Sequence, residues 1–148
     1  MNYLLDTNII SEIRKGSDSN PHVAASYDSI DEANIYVSVL VLGEIHKGIE
    51  RARSTNPAQD RALEKWLSTL SQSFADRILP VDLAVADEWR RMSAKRPVST
   101  VDALLAATAK VHQMMLVTRN VADVADLGAK VKKLRNEPNF GNAKCWVL

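Results

Sequence analysis

Apolar and polar positions change rhythm repeatedly along the chain, and each change marks an element. Tyr3-Leu4-Leu5 is a short apolar run that stops at Asp6-Thr7-Asn8. A run so bounded predicts a buried strand, followed by a short helix over 9–15 capped by Thr7 or Asn8 and stopped by Gly16. Asn20-Pro21 supplies an N-cap and a first-turn proline for a second helix to about residue 29. Ile35-Tyr36-Val37 is β-branched and aromatic, hence a second strand. Ser38 then caps a helix over 39–53, with Leu42, Ile45 and Ile49 as its apolar stripe. Asn56-Pro57 repeats the cap-and-proline signal, and Leu63, Trp66, Leu67, Leu70 and Phe74 follow at helical spacing.

The second half continues the alternation. Ile78-Leu79-Pro80-Val81 predicts a brief third strand, whose proline places it at a sheet edge. Asp82 caps a helix carrying Val85, Trp89 and Met92, which ends before Pro97. Ser99 or Thr100 opens a helix over 101–112, and 114–118 is a fourth strand. A turn and short helix over 120–127 close at Gly128, and 131–134 forms a fifth strand. From Arg135 onward, polar residues with Pro138 and Gly141 indicate an irregular tail. Strands alternating with helices imply right-handed crossovers and a parallel sheet. The expected fold is a three-layer α/β/α sandwich with a central parallel sheet of four to five strands. It forms one domain over 1–140, with a C-terminal tail over 141–148.

Composition adds mainly exclusions. At 148 residues the chain suits a single domain with a proper core, and 46% apolar with 25% charged residues is ordinary for a globular protein. A net charge of +1 predicts no bulk attraction to nucleic acid, so such a partner would need a local patch. Cys145 is the sole cysteine, which removes a disulfide framework or a cysteine-based zinc site. Neither a signal-peptide core nor a membrane span is apparent, so a cytoplasmic domain without membrane attachment is expected. His22, His46 and His112 have no metal-ligand partner at a useful spacing.

Three carboxylates stand out by position. Asp6 ends the first strand, Glu44 lies in the first turns of the helix after the second, and Asp102 opens the helix before the fourth. Val101 to Ala109 reads Val-Asp-Ala-Leu-Leu-Ala-Ala-Thr-Ala, apolar or small on every side, as a buried helix does. A charge there is costly unless it is paired, hydrogen-bonded or bound to a metal. Ordinary alternatives exist for each acid: a cap or turn for Asp6, the capping box Ser99-x-x-Asp102, and a solvated helix face for Glu44 with Lys47 and Arg51. Taken together, however, strand C-termini and helix N-termini of a parallel sheet open on one edge. Carboxylates converging there repel one another unless a cation neutralises them. All-oxygen ligands suit Mg²⁺ or Mn²⁺, and such an ion serves in-line displacement at a phosphodiester.

Four ordered motifs resemble those of the PIN-domain family, most closely its VapC-type toxins: Leu4-Leu5-Asp6-Thr7-Asn8, Gly43-Glu44, Val101-Asp102-Ala103 and Leu116-Val117-Thr118-Arg119-Asn120. The resemblance implies a Mg²⁺-dependent endoribonuclease, bacterial and cytoplasmic, with Mn²⁺ as a substitute ion. It implies a homodimer that a cognate VapB-type antitoxin holds inactive, in complexes that extend to operator DNA. By the same resemblance Asp6, Glu44 and Asp102 are metal-binding acids, Thr118 a supporting hydroxyl, and the first and fourth strands are neighbours. Many relatives carry a fourth acid where this chain has Asn120, and others carry it where this chain has Asp123. Asp123 is therefore the further catalytic candidate and Asn120 an auxiliary group, with a one-metal site the expectation. Lys47, Arg51, Arg53 and Arg119 are the candidates for contact with RNA.

Two other readings compete. A degenerate nuclease acting chiefly through antitoxin binding and operator regulation would share the fold and lack the activity. A haloacid-dehalogenase-like phosphotransferase also places its nucleophile after the first strand. It wants a second aspartate two residues on, where this chain has Asn8, and leaves Glu44 without a purpose.

Overall fold

The order and direction of the strands place the site, so the sheet comes first. The structure, a computed structural model, describes residues 1–133. Strands β1 (Tyr3–Leu5), β2 (Ile35–Ser38), β3 (Ile78–Leu79), β4 (Met115–Thr118) and β5 (Lys130–Lys133) form one sheet in the order β3-β2-β1-β4-β5. Every pairing is parallel. Leu5 lies opposite Val117, so β1 and β4 run in register to their carboxyl ends. The parallel sheet and the adjacency of β1 and β4 agree with expectation, and β3 takes the edge that Pro80 predicts.

The connections between strands are helical: α1 (Thr7–Ile13), α2 (Pro21–Asp28), α3 (Val39–Arg53), α4 (Pro57–Ser73), α5 (Leu83–Ser93), α6 (Thr100–Val111) and α7 (Val121–Val124). From β1 to β3 the chain moves across the sheet in one direction, then returns past β1 to β4 and β5. Right-handed crossovers put the helices of these two journeys on opposite faces. The contacts agree: α1 packs on α2 and α3, and α3 on α4, whereas α6 packs on α5 and α7. Leu4, Leu5, Val37, Leu116 and Val117, each at most 1% exposed, form the middle of the core between the layers.

Local chemistry explains most boundaries. Asn20 accepts the N–H groups of His22 and Val23, Ser38 that of Leu40, Asn56 that of Gln59, and Asp82 that of Val85. Each satisfies donors that a first helical turn leaves free. Gly128 closes the segment after α7 with φ +83°, a conformation that suits glycine.

Several expectations need correction. The first helix begins at Thr7, not at residue 9, and Asp6 takes the N-cap position expected of Thr7 or Asn8. Gly16 does not simply stop it but opens a 3₁₀ turn, Gly16–Asp18. In α3 the buried stripe is Val41, Ile45 and Ile49, with Leu42 only half-buried, because Val41 rather than Leu42 faces the sheet. β3 ends at Leu79, since Pro80 has no N–H to extend the ladder. The short helix over 120–127 contracts to α7. Leu134, Cys145 and the boundary between 140 and 141 lie outside the described residues. Among those described, no helix is long and apolar enough to cross a membrane.

Candidate active site

Where β1 and β4 meet, the helices leave toward opposite faces, which opens a crevice beyond the strands' carboxyl ends. Asp6 directly follows β1, and its N–H still donates to the Val117 carbonyl at 3.0 Å. The residue is 7% exposed, although it ends a strand that points at this crevice. Asp6 occupies the N-cap position of α1, but its side chain makes no capping hydrogen bond of ordinary geometry there. Instead the buried Thr118 hydroxyl donates to Asp6 Oδ2 at 2.6 Å. The Asn120 N–H donates to Thr118 Oγ1 at 3.1 Å, which fixes that hydroxyl from the other side.

Burial pushes the Asp6 carboxyl above its ordinary range. The Thr118 hydroxyl opposes this most strongly, the backbone N–H groups of Asn8 and Thr7 also oppose it, and the negative charge of Glu44 adds to it. Asp102, in the first turn of α6, is raised as well. Burial is again the main cause, followed by the charge of Asp6, with Ser99 opposing and Asp123 adding. Ser99 makes no capping bond with its side chain, so the capping box is not formed. Glu44 reaches in from α3, where the Thr7 hydroxyl donates to its Oε2.

Asp6 feels the negative charge of Glu44, and Asp102 feels those of Asp6 and Asp123, so these four carboxylates are electrostatic neighbours. Among the described residues, none of the four is paired with a lysine, arginine or histidine. Nor, among those residues, is any group of three or more His, Cys, Asp or Glu gathered tightly enough to hold a metal ion as it stands. The donor chemistry nevertheless fits a hard cation: oxygen ligands, mutual repulsion, and no resident positive charge. Mg²⁺ keeps several waters and takes only one or two protein carboxylates, so two of these acids suffice. Asn120 and Asp123 stand exposed at the rim, at and just beyond the start of α7.

The basic candidates divide. Lys47 and Arg51 are exposed on α3, three and seven residues past Glu44, and neither is ion-paired among the described residues. Arg53 does not join them: Glu50, Glu64 and Asp60 surround its guanidinium at 3.0, 2.9 and 3.6 Å. Its place at the end of α3, beside the start of α4, is what turns it toward acids. Arg119 is drawn to Glu12 at 3.4 Å.

Two supporting residues escape sequence reasoning. Arg96, in the loop before α6, donates to the carbonyls of Ala122, Asp123 and Ala125, at 2.8 Å for the last, and so fixes the short helix that carries Asp123. A loop arginine has no periodicity to betray such a role. Glu12 is 7% exposed on a helix whose other buried residues are isoleucines. Its signal, an acid inside an apolar stripe, is the same one that singles out Asp102.

The chain matches the PIN domain family over residues 3–126. Toxin FitB of Neisseria gonorrhoeae is 35% identical over 133 residues, spanning 82% of this chain and 94% of that protein. Ribonuclease VapC14 of Mycobacterium tuberculosis is 35% identical over 81 residues, spanning 55% of this chain and 71% of that protein. Among solved structures, a FitAB complex bound to a DNA fragment superposes with a TM-score of 0.80 at 27% identity, covering 95% of this chain and 99% of that one. With a family match over most of its length and a buried aspartate at the β1–β4 edge, the chain belongs to the PIN-domain family.

Proposed function

We propose that this chain is a metal-dependent endoribonuclease of the VapC type, the toxin of a toxin–antitoxin pair. The observation that carries the reading is the unneutralised acid set: the buried Asp6 and the half-buried Asp102 have no cationic partner among the described residues, and each feels a neighbouring carboxylate's charge. Burying like charges without a partner costs stability, so a site of this kind is built for a cation. Asp6, Glu44 and Asp102 would hold it. When bound, a divalent ion would acidify a water and neutralise charge on a phosphodiester. Thr118 orients Asp6 by its hydroxyl, and Thr7 holds Glu44 at the edge of the crevice. Asp123 is exposed and so available to take a proton from water, while Asn120 offers its amide without charge. Lys47, Arg51 and Arg119 would lie along the RNA backbone. The identity of this chain to a named toxin and to a named ribonuclease supports the reading, with Mg²⁺ or Mn²⁺ as the ion.

The solved relatives are toxin–antitoxin complexes, some of them bound to DNA. By that likeness a VapB-type antitoxin is the proposed partner, with a homodimer and its complex with antitoxin on operator DNA as the proposed assemblies. The test is cleavage of a broad RNA panel by purified, antitoxin-free protein with Mg²⁺ or Mn²⁺. Cleavage of at least one RNA is expected. Failure on every RNA would favour the alternative, a binding module whose output is operator regulation.

A further inference from the structure

Glu12 is a buried carboxylate that none of the proposed chemistry uses. Its Oε1 accepts the Asn20 backbone N–H at 2.6 Å, which locks the carboxylate plane. Its Oε2 receives both Lys15 Nζ at 2.8 Å and Arg119 Nη1 at 3.4 Å. Two cations therefore share one oxygen, leaving an excess positive charge and most of the guanidinium donors unused. Lys15 and Arg119 keep 51% and 31% of their side chains exposed. The hydrogen bond from Lys15 and that from Asn20 hold Glu12 below the usual carboxylate range, so it stays ionised at neutral pH.

The position matters as much as the charge. Arg119 follows Thr118, the residue that holds Asp6, and α1 begins directly after Asp6. The cluster thus borders the acid crevice on its β4 side. Lys47 and Arg51 lie further along α3, the helix that follows β2, the strand on the other side of β1.

Resting on the ribonuclease reading above, we infer that Glu12 is a positioning residue that presents Lys15 and Arg119 as a clamp for an RNA phosphate next to the scissile one. Glu12 touches neither the phosphate nor the reacting atoms; it holds two flexible cations that stay partly exposed. Guanidinium groups held in this way suit bidentate contact with a phosphate.

The test measures binding of a short fluorescein-labelled single-stranded RNA to the full chain in the Asp6→Asn background, which separates affinity from cleavage. Arg119→Ala, at a half-buried position, and Lys15→Ala, at an exposed one, should each weaken binding by about tenfold or less and flatten its salt dependence by about 0.7 in log–log slope. Glu12→Gln is the decisive variant. Removing a negative charge from a basic cluster should tighten RNA binding if Glu12 were only a charge, whereas loss of positioning should weaken it, by about threefold or more. In a Lys15→Ala, Arg119→Ala double background Glu12→Gln should add little, since the three act as one unit. With wild-type cleavage as the companion measurement, Arg119→Ala should raise KM and leave kcat nearly unchanged. Tighter binding by Glu12→Gln, or an unaltered salt slope in both cation variants, overturns the clamp and leaves the ribonuclease reading standing. Absence of RNA cleavage by the wild type, with no RNA binding by Asp6→Asn, overturns the ribonuclease reading and the clamp with it.

Discussion

Asp6→Asn and Asp102→Asn are each expected to lower kcat for RNA cleavage by about a thousandfold, or about 4 kcal/mol of transition-state stabilisation, with the fold retained. Each change removes a charge and keeps the shape. The new amide oxygen at position 6 can still accept the Thr118 hydroxyl, and position 102 lies in a first helical turn where no intrahelical bond is lost. The rate should fall because the charge that would hold the ion at the crevice is gone, not because the sheet edge has moved. Circular dichroism and melting of the same preparations separate the two causes. Native spectra with lost cleavage are the expected pair; cleavage within about tenfold of wild type in both variants would remove the acids from the chemistry.

The second large effect concerns stability, and its sign follows from the raised carboxyls. Asp6 and Asp102 titrate above their ordinary value of 3.8 in the folded chain. Between that value and the raised ones, the folded state binds more protons than the unfolded state, so stability falls as pH rises through the window. The cost persists above it, at neutral pH. Glu12 and Glu88 work the other way: both are held low by cations, and their contribution is lost as pH falls. Wild-type melting alone therefore mixes opposing terms, but the difference from Asp6→Asn isolates one of them. In metal-free buffer at neutral pH, Asp6→Asn should melt above wild type, and the gap should close on acidification. Adding Mn²⁺ should raise the wild type by about 2.7 kcal/mol at a hundredfold excess over its Kd and leave Asp6→Asn nearly unmoved. Thr118→Val, which removes the donor that most opposes the raised Asp6 carboxyl, should widen the window toward higher pH. An Asp6→Asn protein that melts below wild type at neutral pH without metal would mean that its charge is already compensated.

Much of this was readable in the sequence because it depends on neighbours in the chain. The cap-and-proline pairs at Asn20-Pro21 and Asn56-Pro57, the Ser38 cap and the Asp82 cap are local chemistry, and α3 occupies the residues expected of it, Val39–Arg53. Asp102 was legible because its helix has no polar side on which to hide a charge: Ala103, Leu105, Ala106, Ala107, Thr108 and Ala109 are all buried. What depends on distant residues was not. Thr7 meets Glu44 across 37 residues and Arg119 meets Glu12 across 107, while Arg96 reaches α7 from a loop. No periodicity encodes such contacts. They also decide which cations are taken up: Arg53 is held by three acids, whereas Arg51, two residues away, has no ion pair among the described residues. The start of α1 was misplaced for a related reason: Asp6 takes the cap position in the backbone, but its side chain is claimed by Thr118.

Sequencing of RNA ends after incubation with antitoxin-free wild type and Asp6→Asn, each with Mg²⁺ and with EDTA, tests the central claim most directly. Discrete new ends are predicted from the wild type with Mg²⁺ and from no other combination. The same ends from Asp6→Asn, or from the wild type in EDTA, would contradict a metal-dependent ribonuclease centred on Asp6.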